Sequence, residues 1–139
     1  MSHTSPRYDG PIRVLVVDAD DRVRESLTGL LAIGGRCTVV ASAGLAGLAF
    51  DLAIDSEPDV VIVDPRLPEV DGGMAFIARL RAHLPAVRIL AMSWSDSLES
   101  EVIESGADGF VRKTFRPSEL VAAVLSAGRT LDQTASETA

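Results

Sequence analysis

Five short apolar runs rich in β-branched residues alternate along the chain with five segments whose apolar residues recur every three or four positions. The runs predict strands at 12–17, 37–41, 59–63, 87–92 and 109–111. Three of them are almost continuously apolar, which is typical of parallel strands covered on both faces. Strict alternation of strand and helix requires right-handed crossovers that place helices on both sides of one sheet. The pattern therefore predicts an α/β fold with a five-stranded, doubly wound parallel sheet.

Helix-boundary residues support this order of elements. Asp20 or Asp21 precedes the first helical segment as an N-cap, and glycines follow the first and fourth segments at Gly34 and Gly106. Pro117 opens the fifth segment, where a proline at the first helical position is favoured. In a sheet of this kind ligands bind beyond the carboxyl ends of the strands, so we expect the functional residues there.

Composition narrows the class of protein further. The chain has 139 residues, and because 47% of them are apolar it can bury a core. Its net charge is −7, so we expect it to repel nucleic acid and anionic lipid. No apolar run reaches the roughly 18 residues of a membrane span, and we expect a cytoplasmic protein. Cys37 is the single cysteine, and we expect its side chain to be buried as an apolar residue. The predicted domain covers 11–128, between flexible tails at 1–10 and 129–139.

Polar side chains cluster at the predicted carboxyl ends of four strands. Asp18 and Asp20 follow the first strand, Asp64 the third, Ser93 the fourth and Lys113 the fifth. Clustered carboxylates favour a hard cation such as Mg²⁺. An aspartate can also accept a phosphoryl group covalently, and a lysine would neutralise the phosphoryl oxygens. The strand ends therefore predict a site for phosphoryl chemistry, although each residue alone is also a common cap, turn or surface charge.

Four motifs in this order resemble the receiver domain of two-component response regulators over residues 11–128. They are VLVVDADDRVR at 14–24, VVIVDPRLPEVDG at 60–72, RILAMSWSD at 88–96 and GADGFVRKTF at 106–115. The resemblance implies the flavodoxin-like (βα)5 fold and makes Asp64 the phosphoacceptor. It implies that Ser93 and Lys113 contact the phosphoryl group and that Ser93 and Phe110 form the switch. It also places Asp18, Asp64 and the backbone carbonyl of Arg66 around Mg²⁺.

The chain departs from the family pattern at three positions. Ala19 replaces the second acidic residue that ligates Mg²⁺, so we expect the metal to be weak or absent unless Asp20 substitutes. Trp94 replaces a small residue after Ser93 and is expected to restrict access to Asp64, with Arg66 overhanging the same site. Thr114 replaces the proline after Lys113, which predicts a trans path for that loop.

The resemblance leads to a non-enzymatic signalling domain as the predicted function. A histidine kinase or other phosphodonor would modify Asp64, and a downstream protein, an output domain or a second copy in a homodimer would read the change. No direct contact with nucleic acid or membrane is expected. An atypical receiver that acts as an interaction module without phosphorylation stays open as the alternative. A haloacid-dehalogenase-like phosphatase using Asp18 and Asp20 is a third interpretation.

Overall fold

The structure is a computed structural model that describes residues 10–69, 72–113 and 116–138, with the side chains up to Gly128. Its strands form one parallel sheet in the order β2-β1-β3-β4-β5. The strands are β1 (Ile12–Val17), β2 (Cys37–Ala43), β3 (Val60–Val63), β4 (Arg88–Ser93) and β5 (Gly109–Arg112). The predicted doubly wound α/β fold is confirmed.

Helices cover both faces of the sheet. They are α1 (Asp21–Ala32), α2 (Ala46–Ser56), α3 (Gly72–His83), α4 (Glu99–Ser105) and α5 (Pro117–Thr138), with short 3-10 turns at Ile33–Gly35 and Asp96–Leu98. The first and last helices pack on one face and the other three on the opposite face. Within the described residues no helix has both the length and the apolar character needed to cross a membrane.

Alternation along the strands explains this two-sided core. In β1, Val14 and Val16 pack with the α1 and α5 side, whereas Leu15 and Val17 pack with the α2, α3 and α4 side. Successive strand residues point to opposite faces, so a strand that is apolar at every position must be covered twice. The three central strands follow this rule, which leaves polar chemistry only at their ends.

Most of the predicted helix ends are found. Asp20 caps α1 by accepting a hydrogen bond from the N–H of Arg22, and Gly34 and Gly106 follow their helices with φ of 85° and 123°. The last helix differs, because its backbone stays helical to Thr138 where the sequence predicted a tail from 129. Adding a residue to an existing helix costs little, so a helix can extend through a polar segment. Residues 1–9 of the predicted N-terminal tail lie outside the described residues.

The backbone directly after β3 lies very close to the start of α3. A Cβ atom on Gly73 would lie 1.8 Å from the carbonyl oxygen of Pro65, the residue after Asp64. A backbone atom cannot move aside as a flexible side chain can, so only glycine permits this approach. Gly73 therefore fixes the path of the chain directly after Asp64.

We predict that Gly73→Ala destabilises the protein by about 1 to 3 kcal/mol, because the added methyl group forces the turn away from α3. Gly29→Ala is the matched control, since a Cβ atom there has no atom within 4 Å. In the middle of α1 this control should gain about 0.5 to 1 kcal/mol. Urea unfolding of both variants measures the two effects, and equal stability of the variants would contradict a role of Gly73 in this packing.

Candidate functional site

Two aspartates lie side by side at the carboxyl edge of the sheet. Asp18 follows β1 and Asp64 follows the neighbouring β3, where the N–H of Asp64 donates to the carbonyl of Val17 at 2.9 Å. Asp18 is 4% exposed and Asp64 is 7% exposed. After β1 the chain crosses to one side of the sheet and later returns to β3 on the other side, and such a switch point is where ligands bind in open α/β sheets.

Lys113 bridges the two carboxylates. Its Nζ lies 2.7 Å from Oδ2 of Asp18 and 2.7 Å from Oδ2 of Asp64. Burial lowers the pKa of Lys113, but the hydrogen bonds and charges of Asp18 and Asp64 raise it more, so the net pKa is raised. The ammonium is therefore charged at neutral pH, and one positive charge is shared by two nearly buried negative charges.

The choice of lysine at this position is a signal that the sequence analysis did not use. Lys113 is the single lysine of the chain, and the other permanently charged basic residues are arginines. An ammonium is a compact point charge with three donors, whereas a guanidinium is a wide planar fork. The compact group can approach two carboxylates on adjacent strands at once, as the Nζ of Lys113 does.

Backbone hydrogen bonds hold the remaining carboxylate oxygens. Oδ1 of Asp18 accepts from the N–H of Asp20 at 2.9 Å, and Oδ1 of Asp64 accepts from the N–H of Arg66 at 2.9 Å. The side chain of Asp20 is exposed and caps α1 instead. The structure thus brings Asp18, Asp64 and Lys113 together and places Asp20 at the helix start.

Ser93 contributes a buried hydroxyl beside this cluster. It is the last residue of β4, is 0% exposed, and its Oγ has no hydrogen-bond partner among the described residues. The backbone N–H of Lys113 donates to the carbonyl of Ser93 at 2.8 Å, so the two predicted site residues are neighbours. A buried hydroxyl without a protein partner costs free energy, so Oγ of Ser93 is free to donate to a polar group that reaches it. Phe110 lies one strand away on β5, partly buried against the α2, α3 and α4 side of the core.

Trp94 directly follows Ser93 at the end of β4, and Arg66 lies two residues after Asp64. Trp94 is 50% exposed, and its ring centroid lies 5.3 Å from the Nζ of Lys113. Its carbonyl accepts a hydrogen bond from Arg112 at 3.0 Å. The guanidinium of Arg66 is exposed and donates to Oγ of Ser97 at 3.3 Å. The sequence places Trp94 and Lys113 directly after two strands, but it does not show that the ring approaches the ammonium.

Arg24 is a residue beside the site that the sequence analysis did not identify. Its Nη1 donates to the backbone carbonyl of Asp18 at 2.6 Å, and its Nη2 pairs with Asp21. A Cβ atom on Gly44 would lie 2.5 Å from the same Nη1, so glycine at that position leaves room for the guanidinium. Arg24 therefore fixes the turn that carries Asp18. Its position one helical turn after the N-cap Asp20 is the sequence feature that could have identified it.

The donor set does not fit a fully ligated Mg²⁺ site. Asp18 and Asp64 supply two carboxylates, but the side chain at position 19 is a methyl group. Among the described residues no three acidic, histidine or cysteine side chains are arranged to hold a metal. Both Oδ2 atoms already contact Lys113, so a cation would compete with the ammonium. Asp71 of the predicted motif and Thr114 lie outside the described residues.

Comparison with known proteins decides the family. Residues 14–125 match the response regulator receiver domain. The chain belongs to this family. It is similar to the transcriptional regulatory protein LnrK of Bacillus subtilis, with 34% identity over 83% of the chain and 53% of the relative. It is also 36% identical to the response regulator MprA of Mycobacterium sp. (strain KMS), over 81% of the chain and 48% of the relative.

Solved receiver structures have the same fold. A two-component response regulator of the LuxR family from Aurantimonas sp. SI85-9A1 matches with a TM-score of 0.79, 32% identity and 87% coverage of both chains. The response regulator domain of Thermotoga maritima CheB matches with a TM-score of 0.78 and 26% identity, over 86% of this chain and 97% of the other. Receiver domains are in general non-enzymatic signalling modules that bind Mg²⁺ at the acidic pocket. The receiver described here spans about half the length of the curated relatives it matches.

We predict that restoring the missing carboxylate makes stability depend on Mg²⁺. Without metal, Ala19→Asp should lower the free energy of unfolding by roughly 1 kcal/mol or more, because a third negative charge joins Asp18 and Asp64. Millimolar Mg²⁺ should recover this loss and change the fluorescence of Trp94 in a saturable way.

Ala19→Asn is the matched control, because it adds an amide oxygen without the charge and should lose less stability. The unmodified protein should respond weakly to Mg²⁺ in the same fluorescence titration. An unmodified protein that binds Mg²⁺ as tightly as Ala19→Asp would contradict this account of the site and would indicate that Asp20 provides the missing ligand.

Proposed function

We propose that this receiver domain accepts a phosphoryl group on Asp64 from a histidine kinase and thereby changes its affinity for a downstream protein or an output domain. The observation that carries the proposal is the buried hydroxyl of Ser93, which lacks a partner beside the ion pair of Asp64 and Lys113. A phosphoryl group on Asp64 would give that hydroxyl an acceptor and would keep Lys113 paired. No other arrangement of the described residues combines a nucleophilic carboxylate, a buried cation and a buried hydroxyl.

The transfer step uses these groups as follows. A carboxylate oxygen of Asp64 forms a bond to phosphorus while the bond between phosphorus and the imidazole nitrogen of a phosphohistidine breaks. The electron pair of the broken bond stays on the imidazole, which takes up a proton from solvent. Lys113 neutralises charge on the phosphoryl oxygens, and the Ser93 hydroxyl donates to one of them. The backbone N–H of Arg66 keeps the carboxylate oriented.

The conformational response follows from the change in partners. When Ser93 turns toward the phosphoryl group, Phe110 on the neighbouring β5 moves into the space that it leaves. Phe110 is only partly buried, so this movement alters the surface formed by α4, β5 and the start of α5. A downstream protein, an output domain or a second receiver in a homodimer would read that surface.

A second candidate function is an interaction module that works without phosphorylation. Two observations favour it: position 19 has no carboxylate, and the ring of Trp94 lies close to Lys113. The phosphatase interpretation has less support. It needs Asp20 to face the same substrate as Asp18, whereas Asp20 is exposed and caps α1.

We predict that incubation with a small phosphodonor adds at most one phosphoryl group to the protein and that Asp64→Asn abolishes the addition. The rate should be low, because Ala19 leaves the developing charge with little metal to neutralise it. Intact mass spectrometry measures both results. Asp20→Asn is the matched control, since asparagine also caps helices and this variant should be labelled as the unmodified protein is.

Labelling that survives Asp64→Asn would exclude Asp64 as the phosphoacceptor. An unmodified protein that stays unlabelled even at high Mg²⁺ concentration would favour the interaction module without phosphorylation.

A further inference from the structure

We propose that Trp94 is a positioning residue that holds the ammonium of Lys113 in the bridge between Asp18 and Asp64. The proposal rests on the proposed function, because it assigns a role at the same site. What it adds to the ion pair described above is that an aromatic ring keeps the ammonium in place. A metal ion or a phosphoryl group then has to compete with that arrangement.

The geometry around the ammonium carries this inference. The Nζ of Lys113 lies 2.7 Å from a carboxylate oxygen of each aspartate and 5.3 Å from the centre of the Trp94 ring. A cation within about 6 Å of an aromatic face is attracted by the quadrupole of the ring. The ammonium of Lys113 therefore interacts with three groups, namely the carboxylates of Asp18 and Asp64 and the indole ring of Trp94.

Two hydrogen bonds tie the loop of Trp94 to the loop of Lys113. Trp94 directly follows Ser93, whose carbonyl accepts the N–H of Lys113 at 2.8 Å, so the two residues leave neighbouring strands side by side. Arg112 then donates to the carbonyl of Trp94 at 3.0 Å and ties the loop after β4 to the end of β5. These two hydrogen bonds connect the loop of Trp94 with the loop of Lys113 on both sides of the contact.

Half of the surface of Trp94 is exposed, so its side chain contributes less to the core than a buried tryptophan would. The short distance from the ring to the ammonium of Lys113 is what distinguishes Trp94 from other exposed apolar residues such as Leu48.

A single-lysine chain allows a direct test without any phosphodonor. Protein labelled with ¹³C and ¹⁵N in lysine gives one set of lysine NMR signals, from Lys113. We expect Trp94→Leu to remove the ring-current shift of the Lys113 CεH₂ signal. The same variant should speed the exchange of the Lys113 ammonium protons with water about two- to fivefold, which is the factor that corresponds to the free energy of an exposed cation–π contact. Trp94→Phe retains an aromatic face and should restore most of both effects.

Leu48→Ala is the matched control, because Leu48 is 51% exposed on α2 and should leave the Lys113 signals unchanged. The proposal is overturned if Trp94→Leu leaves the shift unchanged, since the contact would then be absent. It is also overturned if the shift changes but ammonium exchange does not, since the ring would then touch Lys113 without holding it. Neither result depends on phosphoryl transfer, so the proposed function is tested separately by the labelling of Asp64.

Discussion

The ion pair that Lys113 makes with Asp18 and Asp64 is the interaction on which the rest of the site depends. It joins the ends of β1, β3 and β5, three strands far apart in sequence, through one ammonium group. Two nearly buried carboxylates without a counter-charge would repel each other and would pay a large desolvation penalty. The shared cation offsets both costs and fixes the positions of the two carboxylates.

The fold makes this arrangement possible by separating apolar and polar positions along each strand. The central strands are apolar on both faces and build the two cores, so the charged residues are confined to the strand ends. Parallel strands bring those ends to one edge. Gly73 and Arg24 then fix the two turns that carry Asp64 and Asp18, the first by allowing close packing and the second by hydrogen bonding.

Much of the fold could be predicted from the sequence, because it depends on local patterns, and so could the position of Asp18, Asp64 and Lys113 at one edge of the sheet. Apolar periodicity gave the strands, and residues directly after strands must meet in a parallel sheet. Proximity of Trp94 to Lys113 follows from the same rule, but the approach of the ring to the ammonium could not be predicted, since it depends on the orientation of the two side chains. The capping role of Asp20 was visible in the sequence, but its direction away from the pocket was not. The length of α5 was underestimated because polar composition says little about helix propagation.

The most direct test of the central claim is the free energy of unfolding of Lys113→Met, measured in urea without added metal. Methionine keeps much of the volume but removes the charge, so we expect a loss of about 3 to 5 kcal/mol. The double variant Lys113→Met/Asp64→Asn should recover a large part of it, because one of the unpaired charges is gone. Arg116→Met is the control, since the exposed pair with Glu119 at 3.9 Å should contribute less than about 1 kcal/mol. A Lys113→Met protein as stable as the unmodified one would contradict the account.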